Sequence, residues 1–528
     1  MSKHFSVIHF LILAIPILFT GCSSSSEKEY QKPNIIYIMS DDHAYQAISA
    51  YGFGLNETPN IDRLATEGAI FTRACVTNSL CAPSRAVLLT GKHSFVNGKV
   101  DNVQAFDWNQ PNFPKILQAN GYQTAMIGKI HMDGIPQGFD FSMVLQGQGH
   151  YYNPDFFING EKKRIEGYCT EIITETALDW LKNKRDQTKP FCMLYHQKAP
   201  HRNWLPAPKY VNLYDLKSYE LPKNFFDDYS GMGTAAKEQE MEIVRDMQWG
   251  HDMKLIVDPN GDTTNFIGDI RRMNEEQRAN WMAAYESENQ EFLANMPEGK
   301  ELAQWKFNRY MRDYLACIKS VDDGVGELLD YLEEAGLAEN TIVVYTSDQG
   351  FYLGEHGWFD KRFMYEQSLR TPLLMRYPKE IKPGTEIKNL VQNLDFAPTF
   401  LDYAGIDIPG DMQGESFRNL VSGKTDQFRD AIYYTYYEYP AVHMVKRHYG
   451  VATDRYKLMH FYYDIDEWEM YDLEKDPDEM HNVYGDPEYA DVQKIMHEKL
   501  DEVRKKYGDS DENDKKYLDA YLKATRKK

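Results

Sequence analysis

Apolar, β-rich runs alternating with helical patterns predict an α/β protein built on a mainly parallel sheet covered on both faces. Three observations carry this expectation. Four short apolar runs have strand length: residues 34–39 (Asn-Ile-Ile-Tyr-Ile-Met), Thr124–Ile127, Pro190–Tyr195 and Thr341–Thr346. Helical patterns separate them. Chemically capable side chains follow the end of each run, where ligands bind in sheets of this kind.

Taken in order, the first strand is followed by a helix predicted over Thr58–Phe71, with Thr58 as N-cap before Pro59. Arg85–Thr90 opens another helix. The second strand ends at Gly128. A helix over 322–335 precedes the fourth strand. Residues 205–311 are rich in Met, Tyr, Asp and Glu with weak strand signals, and read as a helical insertion shaping a cleft. After about residue 425 the pattern changes to antiparallel strands (Ile432–Tyr437, Tyr449–Ala452, Tyr456–Met459) and a helix over Asp491–Lys506. The expected organisation is a catalytic unit over 32–424 and a smaller C-terminal unit over 425–528.

At 528 residues the chain exceeds one compact core. Its formal net charge of −21 argues against nucleic-acid partners. An anionic substrate therefore requires a local cationic pocket. Lys3 and His4 precede an apolar run from Phe5 to Phe19, too short to span a membrane and suited to a signal peptide over 1–21. The run ends Thr20-Gly21-Cys22, which resembles a bacterial lipobox with Cys22 as the lipidated residue and 22–31 as a polar tether. That implies a membrane-anchored envelope lipoprotein; an ordinary secretory peptide cut nearby is the alternative. Cys75, Cys169, Cys192 and Cys317 are irregularly spaced and read as buried thiols, with one disulfide an open alternative.

The most informative segment is Cys81-Ala82-Pro83-Ser84-Arg85, continued to Leu88-Leu89-Thr90-Gly91. A cysteine alone could be a core thiol, half a disulfide or a nucleophile. The full run resembles the signature of the type I sulfatases. The family has an alkaline-phosphatase-like central mixed sheet flanked by helices, with a small C-terminal antiparallel sheet. The resemblance implies oxidation of Cys81 to Cα-formylglycine by a maturase, with the hydrated aldehyde as nucleophile.

Ser40-Asp41-Asp42 and Ser347-Asp348-Gln349 each follow a strand, and two such oxygen-rich ends suit one hard divalent cation. By the resemblance this is a Ca²⁺ site of Asp41, Asp42, Asp348, Gln349 and modified Cys81. Gly128-Lys129-Ile130-His131 resembles the family's Gly-Lys-x-His, whose Lys129 and His131 orient and activate the gem-diol. Pro200-His201 resembles the segment supplying the leaving-group acid, with His196 a weaker rival. Lys361 is the expected sulfate-binding lysine and Arg85 the partner of the modified residue. The implied reaction is displacement at sulfur on a sulfated polysaccharide or oligosaccharide, either algal and ulvan-like or a glucosamine 6-sulfate. Rival readings are a phosphatase or phosphodiesterase of the same superfold and a non-catalytic, lipid-tethered glycan-binding protein. Peptide mass spectrometry of the Cys81 segment, from protein made with a maturase, should show a loss of about 18 Da relative to the thiol; an intact thiol in folded protein would favour the binding-protein reading.

Overall fold

The structure is a computed structural model that describes Met1 and residues 31–215, 217–264 and 268–526. The leader and Cys22 lie outside the described residues.

The chain centres on a ten-stranded sheet. Its strands are β1 (Asn34–Ser40), β2 (Ala69–Phe71), β3 (Gln123–Gly128), β4 (Phe141–Leu145), β5 (Asp155–Ile158), β6 (Glu161–Arg164), β7 (Phe191–His196), β8 (Thr341–Ser347), β9 (Leu373–Arg376) and β10 (Thr385–Ile387). Their order is β10-β2-β9-β8-β1-β7-β3-β4-β5-β6. The middle five, β8-β1-β7-β3-β4, run parallel, while β9, β5 and β6 pair antiparallel to their inner neighbours. The sheet is thus parallel at its centre and mixed at its edges.

Every residue of β1 is buried, which explains its continuous apolar run. Ile36 and Ile38 point into one core, Ile35, Tyr37 and Met39 into the other, as a period of two requires. The first core is covered by α1 (Pro59–Thr66), α4 (Cys169–Asp179) and α6 (Gly299–Glu334); the second by α2 (Cys81–Thr90), α3 (Phe113–Ala119) and α7 (Phe396–Tyr403). A further helix, α5 (Glu275–Ala294), precedes α6, and α6 extends across residue 311. The C-terminal strands β11 (Ile432–Tyr436), β12 (His448–Ala452), β13 (Tyr456–Phe461) and β14 (Glu467–Asp472) form an antiparallel meander. Helix α8 (Ala490–Tyr507) packs on it, and a last helix, α9 (Asp511–Thr525), had no counterpart in the sequence reading.

The helix expected over 58–71 stops at Thr66. The cause is Gly68: a Cβ there would lie 2.2 Å from the Met375 carbonyl oxygen. The chain passes so close to β9 that it enters the sheet as β2. Nor does Thr58 cap the helix through its side chain; its hydroxyl donates to Asp62 at 3.1 Å.

Register brings the chemistry together. Ser40 lies opposite Ser347, and Met39 opposite His196, so Asp41, Asp348 and Gln197 leave adjoining strand ends. Gly128 lies opposite His196 at φ +110°, and a Cβ there would meet the His196 carbonyl oxygen at 1.8 Å. Only glycine fits where β3 turns out toward Lys129. Gly128→Ala should lower unfolding free energy by about 3 kcal/mol, measured by urea denaturation; an unchanged midpoint would show that the strand end adapts.

Candidate active site

The site is built at the carboxyl ends of β1, β3, β7 and β8, with α2 entering from one core face. Cys81 occupies the first turn of α2. Leu80 before it is extended, Pro83 falls within the first turn where no intrahelical donor is lost, and Gly91 closes the helix at φ +63°. The helix therefore starts four residues earlier than the run from Arg85 suggested. Cys81 sits at its positive end, fully buried. Burial drives its thiol well above the ordinary range, against the pull of Lys361 and Lys129. An unmodified Cys81 is a neutral thiol here and a poor nucleophile.

Asp41, Asp42 and Asp348 each present an oxygen within 4.8 Å of one another, all three buried. Burial alone would raise Asp41, but Lys129, His201 and Arg85 outweigh it and hold this carboxyl well below the usual range. Burial lifts Asp42 to about 6 against the opposing charge of Lys361. Burial and the adjacent Asp41 lift Asp348 to about 7.

Arg85 ties the cluster together. Its Nε and Nη2 donate to Asp348 Oδ2 at 3.1 and 2.9 Å, and its Nη1 donates to the Lys129 carbonyl at 2.7 Å. The guanidinium also reaches within 3.6 Å of Asp41. Lys129 donates to Asp41 Oδ2, and Lys361 donates to both oxygens of Asp42 at 2.6 and 2.7 Å. The Gln349 amide nitrogen donates to Asp42. Asp41 Oδ1 and Gln349 Oε1 are buried without a hydrogen-bond partner. Two orphaned acceptors among three crowded carboxylates are what a hard, oxygen-seeking divalent cation satisfies, so these residues fit a metal.

His201 follows β7. Its Nδ1 donates to the Arg202 carbonyl at 2.5 Å, so the neutral ring keeps its lone pair on Nε2, 3.8 Å from Asp42. Burial and Lys129 hold it well below the ordinary imidazole value. His131 is also held neutral, by burial and then by Lys129; its Nδ1 has no partner and its φ is +54°. The rival His196 is fully buried, with Nδ1 against the Lys129 carbonyl (3.1 Å) and Arg85 (3.2 Å). Its Nδ1 is thus engaged by Arg85 and the Lys129 carbonyl.

Three features went unread in the sequence. Gln148, exposed between two glycines in the left-handed region, accepts a hydrogen bond from Lys129; its Gly-Gln-Gly setting was a usable signal. Asp360 and Arg362 flank Lys361 at φ +76° and +101°, bonded to each other. Strain on non-glycine residues at such a place marks function, and no sequence pattern reports it. His443 reaches Asp360 at 3.2 Å from the loop between β11 and β12. The remaining cysteines, Cys75, Cys169, Cys192 and Cys317, are buried free thiols.

A mixed α/β sheet with an acid cluster, a buried cysteine at a helix start and converging lysines defines a hydrolase acting on an anionic ester. The sulfatase family profile matches residues 33–406, and that of the N-sulphoglucosamine sulphohydrolase C-terminal region matches 354–506. The chain belongs to the sulfatase family and is a sulfuric ester hydrolase. It is 50% identical over 515 residues to an N-acetylglucosamine-6-O-sulfatase of Bacteroides thetaiotaomicron, covering 96% of this chain and 92% of that one. It is 29% identical to the human N-acetylglucosamine-6-sulfatase, over 75% of this chain and 65% of that protein. A solved structure of a protein in complex with its substrate D-glucosamine-2-N,6-O-disulfate superposes with a TM-score of 0.89 at 50% identity, covering 92% of this chain and 99% of that one.

Asp42 and Asp348 have folded-state values above those of the unfolded chain. The stability they contribute is present below the unfolded value and lost as pH rises through about 6 and about 7. A divalent cation reverses that loss. Calorimetry near pH 6 should therefore show protons released on cation binding, with none released above pH 8. Added cation at about 100 times its Kd should stabilise the protein by about 2.7 kcal/mol. Asp348→Asn should abolish both effects, and retention of both would place the cation elsewhere.

Proposed function

We propose that this protein removes the 6-O-sulfate from a glucosamine-type sugar at the end of a sulfated glycan, using formylglycine at position 81 and Ca²⁺ on Asp41, Asp42, Asp348 and Gln349. The observation that carries the sugar assignment is the 50% identity to a glucosamine 6-O-sulfatase over 96% of the chain. The ulvan-active relative is 25% identical, so the glucosamine reading stands ahead of the algal one.

The charge pattern supports the chemistry. Lys129, Lys361, Arg85 and Arg362 all act electrostatically on Cys81, so a protein of net charge −21 brings four cationic side chains, each paired with a carboxylate, to the place an anionic ester would occupy. Hydrated formylglycine supplies a hydroxyl to attack sulfur and a second hydroxyl whose deprotonation frees the sulfate. Bound Ca²⁺ supplies positive charge to the sulfate oxygens.

The remaining work falls to side chains already in place. Lys129 and Lys361 neutralise charge on the equatorial oxygens. Arg85 keeps Asp348 and Asp41 oriented. His131, held neutral, takes a proton during release of sulfate. His201 directs Nε2 toward the site and protonates the departing sugar oxygen. An alkoxide leaves poorly without that proton. The negative charge of the bound ester raises the His201 imidazole toward the protonated form it needs.

N-acetylglucosamine 6-sulfate should be desulfated at least about 100-fold faster than its 3-O or 4-O isomers, and His201→Ala should lower kcat by about 10²- to 10⁴-fold. Release followed by ion chromatography checks both. Preference for another isomer would overturn the regiochemistry and leave the sulfatase assignment intact.

A further inference from the structure

The helical insertion between β7 and β8 reaches back to the segment that carries His201. Arg202 donates from Nε and Nη2 to the two oxygens of Asp252 at 2.7 and 2.6 Å, a bidentate fork. Asp252 is fully buried and also accepts the Gln248 amide at 2.8 Å. Burial works against its charge, but Arg202 outweighs this and keeps it ionised. The guanidinium lies 4.9 Å from the centroid of Phe359, two residues before Lys361.

The flanking backbone is held with equal care. The His201 carbonyl accepts the Tyr151 hydroxyl at 2.6 Å. The Asn203 carbonyl accepts Lys254 Nζ at 2.8 Å, and Lys254 pairs with Asp313 at 3.0 Å. Between these anchors lies the Arg202 carbonyl, the acceptor for His201 Nδ1. A charge-assisted fork that desolvates two ions is costly unless its geometry is put to use. The use visible here is to fix one carbonyl oxygen beside one imidazole.

We infer that Arg202 and Asp252 are positioning residues for His201: the fork fixes the Arg202 carbonyl, which holds the ring in its Nδ1–H tautomer with Nε2 toward the substrate. Neither residue touches substrate in this role. The inference rests on His201 being the leaving-group acid. It also gives the insertion a catalytic purpose: the insertion supplies the anion that locks the acid.

The test uses full-length matured enzyme with ¹⁵N-labelled histidine rings, the His201 signals being assigned by their loss in His201→Gln. Wild type should show the Nδ1–H tautomer. In Asp252→Asn the His201 signals should move toward a tautomer mixture. Its kcat on N-acetylglucosamine 6-sulfate should fall by about 10- to 100-fold, as small misplacements of a catalytic group do, with KM little changed. Turnover of 4-nitrocatechol sulfate, whose leaving group needs no proton, should change less than about threefold by the same reasoning. Parallel loss on both substrates, or an unchanged tautomer, overturns the inference. If Asp252→Asn does not fold, Arg202→Lys keeps the charge and removes the fork, and the same two signals decide. Should His201→Gln leave sugar-sulfate kcat intact, the acid assignment fails, while the tautomer signal still reports whether Asp252 positions the ring.

Discussion

The buried guanidinium of Arg85 is the interaction on which the site depends. It is fully buried, rises from the helix that Cys81 begins, and binds Asp348 after β8 and the carbonyl of Lys129 after β3. One side chain thus fixes the helix that carries Cys81 to two parallel strand ends. Without it Asp348 would be a buried anion short of a partner, a condition that costs about 3–5 kcal/mol. Arginine suits the post because its planar fork spreads donors over several acceptors and never loses its proton.

Charge is balanced pair by pair around that anchor. Lys129 faces Asp41, Lys361 faces Asp42, and Arg362 faces Asp360. Arg85 faces Asp348 in the same way, so no charge is left over, and Asp42 and Asp348 are the two carboxyls that burial lifts. The acidic whole does not bar an incoming anion, because screening confines distant surface charge to about 10 Å. What an incoming anion meets is set by the lysines and arginines nearest Cys81.

The fold was legible where strands are buried on both sides and bounded by polar residues: Asn34–Ser40 and Thr341–Ser347 differ from the expected runs by one residue. It was illegible where tertiary contact overrode local pattern, as at Gly68, where the approach to Met375 cuts a helix short. That residues directly following a strand, such as Asp41, Lys129 and Asp348, converge could be read because parallel register brings strand ends together. Lys361 was named by motif, and the structure sets it against Asp42. Asp252 and His443 could not be found, since each reaches the site through an insertion or a loop whose path only the packed structure defines.

The last consequence concerns the seam between the two parts of the chain. Tyr434, from the C-terminal meander, donates its hydroxyl to the Arg362 carbonyl, and His443 of the same region meets Asp360. The two family profiles overlap over this stretch, from 354 to 406, and Lys361 lies inside the overlap. The C-terminal sheet is therefore no detachable appendage. The meander thus buttresses both neighbours of Lys361, and the strand-end cluster and the C-terminal sheet behave mechanically as one body.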